Sequence, residues 1–506
     1  MSTEKLRLLQ FFKKRGGITL FHIIHNLSVK LIPSKDFDIT GIATDSRLVK
    51  PGNIFVAIQG LESDGHRYIE EAIKKGAAAV VCDKPVSIES VQKIFVRDSR
   101  EALAQIAANF YESPADRLKL IGITGTNGKS TTAYLVNSIL EKAGYKTGLI
   151  GTIHYKINTQ IQTAKHTTPD ALELNELFSS MIRHGVQWVT SEVSSHAVAL
   201  KRIFGLFFEI GVFTNLTQDH LDFHRSIEDY RETKLDFFRN HIKPDGTIVV
   251  NMDDPEMASR ILAISSKRFL RYSLNQPADI YPLDILSEAA GLKIQLQTPL
   301  GSLKIQSTLL GEFNGHNIMA AVGAGLAAGL DLKTIQAGIE KLKGVPGRFE
   351  QINQGQSFTV VVDYAHTPDA LERTLKSARQ LCRHKLWVVF GCGGNRDRGK
   401  RPQMGRIATT LADGVIITTD NPRLEKPQDI IQEIQAGTKP DTLCLVIEDR
   451  IQAIREVVKR AEPNDFIVIA GKGHENYQEI GRNRIPFDDR EEVERCLQEY
   501  PLTRER

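Results

Sequence analysis

The residues with the clearest chemical pattern are Gly125-Thr126-Asn127-Gly128-Lys129-Ser130, which lie between an apolar strand pattern and a helical pattern. The backbone N–H groups of such a loop, together with the helix N-terminus, can bind phosphates. Lys129 can neutralise the outer phosphates, and the Ser130 hydroxyl can ligate Mg²⁺. The general phosphate-loop spacing requires glycine at position 123, where this chain has isoleucine. The preceding strand, the glycine-rich loop, the Lys-Ser pair and the following helix nevertheless match a phosphate-binding loop. The segment therefore predicts ATP or GTP binding.

Polar residues also follow two later strand patterns of the same region. Glu192 lies in the run 191–196 at the end of one strand, and His220 lies in the run 215–222 after the next. In an open α/β sheet the carboxyl ends of the strands meet in one crevice, where ligands bind. A carboxylate and an imidazole there can hold a divalent ion. The alternative interpretation is that Glu192 caps or salt-bridges and His220 belongs to a turn, and both interpretations stay open.

Lys234 belongs to a predicted helix that begins after Ser226, with Asp229 three residues further on as in a capping box. Helical spacing places Tyr230 and Lys234 on one face. The helix pattern by itself predicts an exposed, solvated lysine.

Three loops in the last third of the chain have an unusual composition. They cover residues 391–401, 420–425 and 471–475, and each follows a predicted strand. Arg396 and Arg423 can each bind a carboxylate in bidentate geometry. Glu475 can accept hydrogen bonds from an ammonium group. The three loops predict a pocket for a zwitterionic, multiply charged small molecule, and the alternative is that the arginines form surface ion pairs.

The elements that must position these residues alternate between strands and helices. Short strands and helices over 38–110 end at Ser113-Pro114, and a βαβ unit begins near Leu118. A hairpin is predicted at 291–310, and a second α/β rhythm follows Val345-Pro346-Gly347 without the fingerprint GxGxxG. We therefore predict an α/β fold of three domains. They are an N-terminal α/β domain over 1–115, a central doubly wound P-loop ATPase-like domain over 116–346 and a C-terminal Rossmann-like domain over 347–506.

Composition excludes several classes of function. The 506 residues are 41% hydrophobic and 25% charged, which is typical of globular chains. A net charge of +4 over this length does not indicate binding to nucleic acid or to a membrane surface. The five cysteines show no metal-binding spacing, so we expect reduced thiols. No apolar run approaches the ~18 residues of a membrane helix, and no signal-peptide pattern is present. We expect a cytoplasmic protein that does not bind nucleic acid and does not insert into a membrane.

The order of the motifs resembles that of the Mur ligases over nearly the whole chain, from TDSR at 44–47 to FDDRE at 487–491. The motifs between these two are GTNGKST, HTTPD, EVSSHA, NLTQDHLDFH, YRETK, GEFNGHN, PGRFE, VDYAHTPDAL, GCGGNRDRGKRP, DNPRLEKP and GKGHE. The resemblance implies an ATP-dependent amide ligase of peptidoglycan precursor synthesis with a UDP-binding N-terminal domain. It implies that meso-diaminopimelate is added to UDP-MurNAc-L-Ala-D-Glu through an acyl phosphate, with two Mg²⁺ ions and ATP as co-substrate. We expect the enzyme to act on these small molecules as a monomer.

The resemblance also implies roles for individual residues. Lys129, Lys234 and His220 are implied to be catalytic, and the implied metal ligands are Ser130, Glu192, His220 and Lys234 as a carbamate. The implied ATP site comprises Gly125, Thr126, Asn127, Gly128, Lys129, Ser130, Thr131, Asn317, Arg348 and Asp363. The implied UDP-MurNAc-dipeptide site comprises Thr44, Ser46, Leu61, Glu62, Ser63, Thr167, Thr168, Ser194 and Arg202. The implied diaminopimelate site comprises Arg396, Asp420, Asn421, Pro422, Arg423, Gly471 and Glu475.

The choice of amino acid rests on the motif DNPR. Arg423 can pair with the distal carboxylate of diaminopimelate, which lysine lacks. A bound lysine would leave Arg423 buried and unpaired, at a cost on the order of several kcal/mol, which is enough to discriminate between the two amino acids. The alternatives are the same ligation with L-lysine, addition of D-Ala-D-Ala, a folylpolyglutamate synthetase, or a regulatory ATPase that switches conformation. The N-terminal TDSR segment argues against the folate enzyme, and DNPR argues against the other two ligases.

Overall fold

The computed structural model describes residues 18–29, 35–60, 63–87, 90–220, 223–264, 267–288 and 290–499. Parallel sheets whose strands are connected largely through helices confirm the predicted α/β fold. Leu61 and Glu62, two residues of the implied UDP-sugar site, lie outside the described residues. The chain forms two compact units, one of residues 1–129 and 144–270 and one of residues 130–143 and 271–506.

The first unit contains fourteen described strands. They are β1 (Ile18–Thr19), β2 (Asp38–Ile39), β3 (Gly41–Ala43), β4 (Asn53–Val56), β5 (Ala79–Cys82), β6 (Gln92–Phe95), β7 (Lys119–Thr124), β8 (Thr147–Ile150), β9 (His154–Ile157), β10 (Gln160–Thr163), β11 (Trp188–Glu192), β12 (Phe208–Phe213), β13 (Ile242–Asn251) and β14 (Arg268–Tyr272). β1 and β2 pair with each other, and β3 to β6 form a parallel sheet in chain order. An eight-stranded sheet has the order β10-β9-β8-β11-β7-β12-β13-β14.

The register of the eight-stranded sheet places three strand ends side by side. Glu192 of β11 pairs with Ile123 of β7, and Phe213 of β12 pairs with Thr124 of β7, all in parallel. The loops after these three strands therefore leave the sheet at one edge, where ligands bind in open α/β sheets.

The helices of this unit are Leu20–Ile23, Ile69–Lys74, Ser99–Phe110, Ala171–Arg183, Ser195–Ala199, Ile227–Asn240 and Pro255–Leu262, with 3₁₀ turns at Ser46–Leu48, Gly65–Tyr68 and Pro114–Arg117. Asp98 caps the helix Ser99–Phe110, because its carboxylate accepts from the backbone N–H groups of Arg100 and Glu101.

Apolar residues on the helices Ala171–Arg183 and Ile227–Asn240 form one core with the eight-stranded sheet. Phe178, Phe237 and Phe238 are buried together with Leu120 and Ile248 of the strands. Because the two helices bury their apolar faces against the sheet, the phase of each helix fixes which polar residues point inward with them.

The second unit begins with most of the helix Lys129–Lys142, which directly follows the loop after β7. Its strands are β15 (Tyr281–Glu288), β16 (Gly291–Thr298), β17 (Gly301–Ser307), β18 (Glu350–Ile352), β19 (Thr359–Asp363), β20 (Leu386–Phe390), β21 (Gly414–Ile417), β22 (Leu443–Val446), β23 (Phe466–Ala470), β24 (Tyr477–Ile480) and β25 (Asn483–Pro486). Its other helices are Phe313–Ala327, Leu332–Lys341, Pro368–Leu381, Lys400–Leu411, Pro427–Gln435, Arg450–Arg460 and Asp489–Glu499.

Both predicted features of this unit are present. β16 and β17 form the predicted hairpin, to which β15 adds a third antiparallel strand. β19, β23, β20, β21 and β22 form a parallel sheet in that order, and β18 adds an antiparallel edge. The central strands are apolar on both faces because helices cover both sides.

Two further observations concern the whole described chain. All five cysteines are free, as expected from their spacing. Within the described ranges, every helix is too short or too polar to cross a bilayer.

Candidate functional site

The glycine-rich loop after β7 is held by the segment that follows β12. The backbone N–H of Thr126 donates to Asn215 O (2.8 Å), and that of Asn127 donates to Asn215 Oδ1 (3.0 Å). The hydroxyl of Thr214 donates to Asn127 O (2.6 Å). Gly125 has φ +150°, and a Cβ there would lie 1.9 Å from Thr214 Oγ1, so only glycine fits. These contacts fix the loop in one conformation beside the helix Lys129–Lys142.

Two lysines converge on one carbonyl oxygen of this loop. Lys129 Nζ donates to Gly125 O (3.0 Å) and to Thr126 O (2.8 Å). Lys234 Nζ donates to the same Gly125 O (3.0 Å) from the helix Ile227–Asn240. The loop therefore has the amine groups of Lys129 and Lys234 close together at the strand edge.

The prediction of an exposed Lys234 is wrong. Its residue surface is 1% exposed, because the helix, capped by Ser226, directs positions 230 and 234 inward. Its Nζ lies 4.6 Å from the centre of the Tyr230 ring. Burial, and then the positive charge of Lys129, lower the pKa of the Lys234 amine well below its usual value of 10.5, although the carboxylate of Asp219 opposes this. The surroundings therefore disfavour the charged form of this amine.

Glu192 is also buried, at the end of β11. Its Oε1 accepts from the backbone N–H of Thr152 (3.0 Å), and its Oε2 accepts from the Thr152 hydroxyl (3.0 Å). Within the described residues, its carboxylate makes no ion pair. A desolvated carboxylate with only neutral donors fits the oxygen-ligand chemistry of a divalent cation, and the salt-bridge alternative is not supported.

Residues of two implied substrate motifs meet next to Glu192. The hydroxyl of Thr168 donates to Glu192 O (2.7 Å), and the backbone N–H of Ser194 donates to Thr168 Oγ1 (3.1 Å). Arg202 Nη1 donates to Thr168 O (2.7 Å), and Thr167 Oγ1 lies 3.1 Å from Thr152 Oγ1. The structure thus brings the predicted residues 167, 168, 194 and 202 together around one strand end.

His220 lies in a cluster of aromatic rings. Its backbone φ is +54°, in agreement with the turn interpretation, and its Nε2 is 3.5 Å from Asp219 Oδ2. Its ring centre lies 4.9 Å from that of His196 and 6.0 Å from that of Tyr230. Since Tyr230 also contacts Lys234, the two residues implied as metal ligands flank the same aromatic ring.

In the second unit, the residues implied to contact the nucleoside are individually well held. Asn317 Nδ2 donates to Asn314 Oδ1 (2.7 Å). The Arg348 guanidinium stacks 4.9 Å from the Tyr364 ring centre. Burial raises the pKa of the Asp363 carboxyl, even though the backbone N–H of Phe349 donates to it (2.7 Å).

The loops after β21 and β23 form one polar network. Asn421 Nδ2 donates to Glu475 Oε2 (2.9 Å), and Asn421 Oδ1 accepts from Nζ of the fully buried Lys472 (3.0 Å). Gly471 has φ +117°, and a Cβ there would lie 2.5 Å from Asp420 Oδ2. The structure therefore joins the predicted residues Asp420, Asn421, Gly471 and Glu475 in one site.

Both predicted arginines flank Gly393 in the loop after β20. A Cβ on Gly393 would lie 2.9 Å from Arg423 Nη1 and 3.7 Å from Arg396 Cγ. Arg396 is exposed, and Pro422 is buried directly before Arg423.

The expectation that Arg423 is buried and unpaired is wrong. Its side chain is 25% exposed, and its Nε donates to Glu479 Oε2 (2.9 Å). The guanidinium therefore keeps a partner when lysine is bound. The free-energy cost of binding lysine instead of diaminopimelate is smaller than expected for a buried, unpaired arginine. Arg423 is therefore a partly exposed arginine in an ion pair, as the alternative interpretation of these loops predicts.

The described residues implied for uridine binding lie in the segments that follow β3 and β4 of the N-terminal sheet. Ser46 Oγ donates to Glu71 Oε2 (2.9 Å), Thr44 is half-buried, and the Ser63 hydroxyl donates to Tyr68 Oη (3.3 Å).

Sequence reasoning missed several residues that hold the sites. Asn215 and Thr217 lie in the motif NLTQDHLD, so their position after β12 is a signal that could have identified them. The hydroxyl of Thr126 donates to Thr217 O (3.1 Å). The sequence around Thr152 and Glu479 does not indicate a role for them, because both lie outside the motifs that resemble the Mur ligases.

Comparison with known proteins identifies the family of this chain. The model described as "Mur ligase family, catalytic domain" matches residues 38–111, "Mur ligase middle domain" matches 123–325, and "Mur ligase, glutamate ligase domain" matches 347–473. The UDP-N-acetylmuramoyl-L-alanyl-D-glutamate–2,6-diaminopimelate ligase of Geobacillus kaustophilus is 44% identical over 459 residues, which cover 90% of this chain and 94% of that protein. The protein of the same name from Gloeobacter violaceus is 45% identical over 465 residues, covering 91% and 94%.

A solved structure with that same name is also similar. It has 34% sequence identity and a TM-score of 0.68, and the match covers 96% of this chain and 99% of the other. Three α/β domains with these matches define an ATP-dependent ligase. The chain belongs to the Mur ligase family.

Proposed function

We propose that this ligase adds meso-diaminopimelate to UDP-MurNAc-L-Ala-D-Glu with hydrolysis of ATP to ADP and phosphate, in peptidoglycan precursor synthesis. The observation that carries the proposal is the convergence of Lys129 and Lys234 on Gly125 O, each at 3.0 Å, beside the buried Glu192. The names of relatives with 44–45% identity support the choice of substrates.

In the proposed reaction, the D-Glu carboxylate attacks the γ-phosphorus of ATP and displaces ADP. The loop 125–128 holds the phosphates, and Lys129 neutralises their charge, because in-line transfer between two anions chiefly needs positioning and electrostatic stabilisation. The amine of diaminopimelate then attacks the acyl phosphate. A proton leaves the nitrogen, and the tetrahedral intermediate expels phosphate to form the amide.

The donor set fits two Mg²⁺ ions, which would neutralise phosphate charge when bound. Ser130 and Glu192 are the proposed ligands of one ion, and His220 and Lys234 of the other. The buried Glu192 carboxylate, with only neutral donors, supports this assignment.

Lys234 is proposed to act as a carbamate. Its neutral Nζ attacks CO₂ to form an N–C bond and releases a proton, which turns a neutral amine into an anionic oxygen ligand. The complete burial of its side chain supports the neutral amine that this step requires.

The network of Asp420, Asn421, Arg423, Gly471 and Glu475, with Arg396 beside it, is proposed to bind diaminopimelate. Glu475 accepts from the substrate ammonium, and Arg423 donates to the distal carboxylate. We further propose that Thr167, Thr168, Ser194 and Arg202 contact the muramoyl-dipeptide. Thr44, Ser46 and Ser63, with Leu61 and Glu62, are assigned to the uridine nucleotide. Thr131, Asn317, Arg348 and Asp363 complete the ATP site.

We assign three domains, 1–115, 116–346 and 347–506, to the nucleotide sugar, ATP and the amino acid. The enzyme is proposed to be a cytoplasmic monomer, and the free state of its five cysteines is consistent with that location.

The test is release of phosphate from ATP in the presence of UDP-MurNAc-L-Ala-D-Glu, with meso-diaminopimelate, with L-lysine, or without an amino acid. Turnover with diaminopimelate alone supports the proposal. Equal turnover with lysine replaces it by the lysine ligase. Turnover without either co-substrate would indicate a regulatory ATPase.

A further inference from the structure

A carboxylate outside every predicted motif holds the guanidinium of Arg423. Glu479 lies on β24, 56 residues after Arg423, and its Oε2 accepts from Arg423 Nε at 2.9 Å. We propose that Glu479 is a positioning residue of the amino-acid site, which fixes Arg423 so that its remaining N–H groups face the distal carboxylate of the substrate. This inference rests on the proposed function, since it concerns the same site.

The backbone of β24 is attached to the loop that carries Arg423. The Arg423 N–H donates to Glu479 O (3.0 Å), and the Gly481 N–H donates to Arg423 O (2.7 Å). The Glu479 N–H donates to Asn421 Oδ1 (2.9 Å), and Gln478 Nε2 donates to Asp420 O (2.7 Å). Glu479 is therefore held rigidly relative to Arg423, as a positioning residue must be.

The hydrogen bonds of Arg423 leave one edge of its guanidinium for a ligand. Nε is bound by Glu479, and Nη1 donates to Gly394 O (2.9 Å). Within the described residues, Nη2 makes no hydrogen bond. A guanidinium has five N–H groups, so three remain, on Nη1 and Nη2. These can bind one carboxylate in bidentate geometry without displacing Glu479.

The charges around Glu479 support the same assignment. Its Oε1 accepts from Arg484 Nε (3.2 Å), so one carboxylate lies between two guanidinium groups. Arg484 is in turn placed by the ring of Tyr477, whose centre lies 4.3 Å from its guanidinium carbon. One positive charge of the two is left for a ligand carboxylate. The distal end of diaminopimelate supplies that carboxylate, whereas lysine has only an ammonium group.

Glu479→Ala is the informative variant, since it removes the acceptor of Nε. We expect the KM for meso-diaminopimelate to rise about tenfold, the effect of one charge-assisted hydrogen bond, while the KM for ATP stays within about twofold. Glu479→Gln keeps an oxygen acceptor and should restore part of the loss. In an Arg423→Ala background, Glu479→Ala should add nothing, because it acts through Arg423.

Arg484→Ala is the matched control. It removes the other ion pair of the same carboxylate, on the same hairpin, without touching Arg423, and the KM for meso-diaminopimelate should stay within about twofold. An equal rise would assign the effect to the hairpin as a whole and overturn the proposal.

The remaining outcomes are distinguishable. A lower or unchanged KM in Glu479→Ala would mean that Glu479 only competes with substrate for Arg423, and the inference would be wrong while the ligase function stands. The unchanged KM for ATP shows that each variant is folded. Absence of diaminopimelate-dependent turnover in the wild-type enzyme would instead overturn the proposed function, and this inference with it.

Discussion

Replacing Lys234 by methionine separates its chemical role from its contribution to stability. Lys234→Met removes the amine and keeps an unbranched apolar side chain at a site that is 1% exposed. We expect turnover to fall at least 100-fold, because the variant cannot form the proposed carbamate. We also expect the folded protein to become more stable below pH 9.5, in degassed buffer without divalent metal, where the wild-type amine is unmodified.

The magnitude follows from two opposing contributions. The variant loses the hydrogen bond from Nζ to Gly125 O, which is 3.0 Å long, and such a bond contributes about 1 kcal/mol. Against this, burial lowers the pKa of Lys234 in the folded state below the value of 10.5. As the pH falls below 10.5, the unfolded state binds a proton that the folded state does not, which costs wild type up to about 1.4 kcal/mol per pH unit. This cost stops growing below the folded-state pKa.

The assay is urea unfolding followed by tryptophan fluorescence. The chain has two tryptophans, of which Trp188 lies on β11 in the sheet that carries the site. A Trp387→Phe background, applied to both proteins, makes the signal report on that sheet. Unfolding free energies are compared at pH 7.5, 8.5 and 9.5, and the advantage of the methionine variant should increase toward pH 7.5.

Two results would refute this reasoning. If Lys234→Met is less stable than its parent by about 1 kcal/mol or more at every pH, with no pH dependence, the lysine is a stabilising ammonium and not a neutral amine. Turnover equal to that of wild type would exclude the carbamate.

Three other changes test separate parts of the molecule. Lys129→Ala should reduce ATP-dependent turnover by about 10²–10³ while the protein still unfolds cooperatively in urea, and retained turnover would contradict the phosphate-loop assignment. Arg423→Ala should raise the KM for meso-diaminopimelate about 10- to 100-fold and leave that for ATP unchanged, and equal effects on both would remove it from the amino-acid site. Arg401→Met should lower the free energy of unfolding of the C-terminal sheet by about 1–3 kcal/mol, because the buried guanidinium donates to Glu425 (2.9 Å) and Glu433 (2.7 Å). Unfolding is measured by Trp387 fluorescence, and an unchanged free energy would show that these contacts contribute little.

Much of the fold and of the candidate site is predictable from local sequence. Apolar runs bounded by glycine and polar residues identify the strands β7, β11, β12 and the five parallel strands of the C-terminal sheet. Because loops after parallel strands meet at one edge, the position of Glu192 beside the loop 125–128 also follows from the pattern. β15, in which Pro282 and Asp284 interrupt the apolar residues, gave no comparable signal.

Two properties were decided only by tertiary structure. Helical spacing places Tyr230 and Lys234 on one face but does not state what covers that face, so the burial of the amine depends on the packing of Ile227–Asn240 against the sheet and the loop 125–128. Similarly, the sequence identifies Arg423 as a carboxylate ligand but not its partner. Glu479 is 56 residues away, and only the pairing of β24 with the Arg423 loop brings the two charges together. Sequence periodicity predicts the face of a helix or strand on which a side chain lies. The protonation state and the ion-pair partner of a charged group depend on the surrounding residues that exclude water from it, and only the tertiary structure brings these residues together.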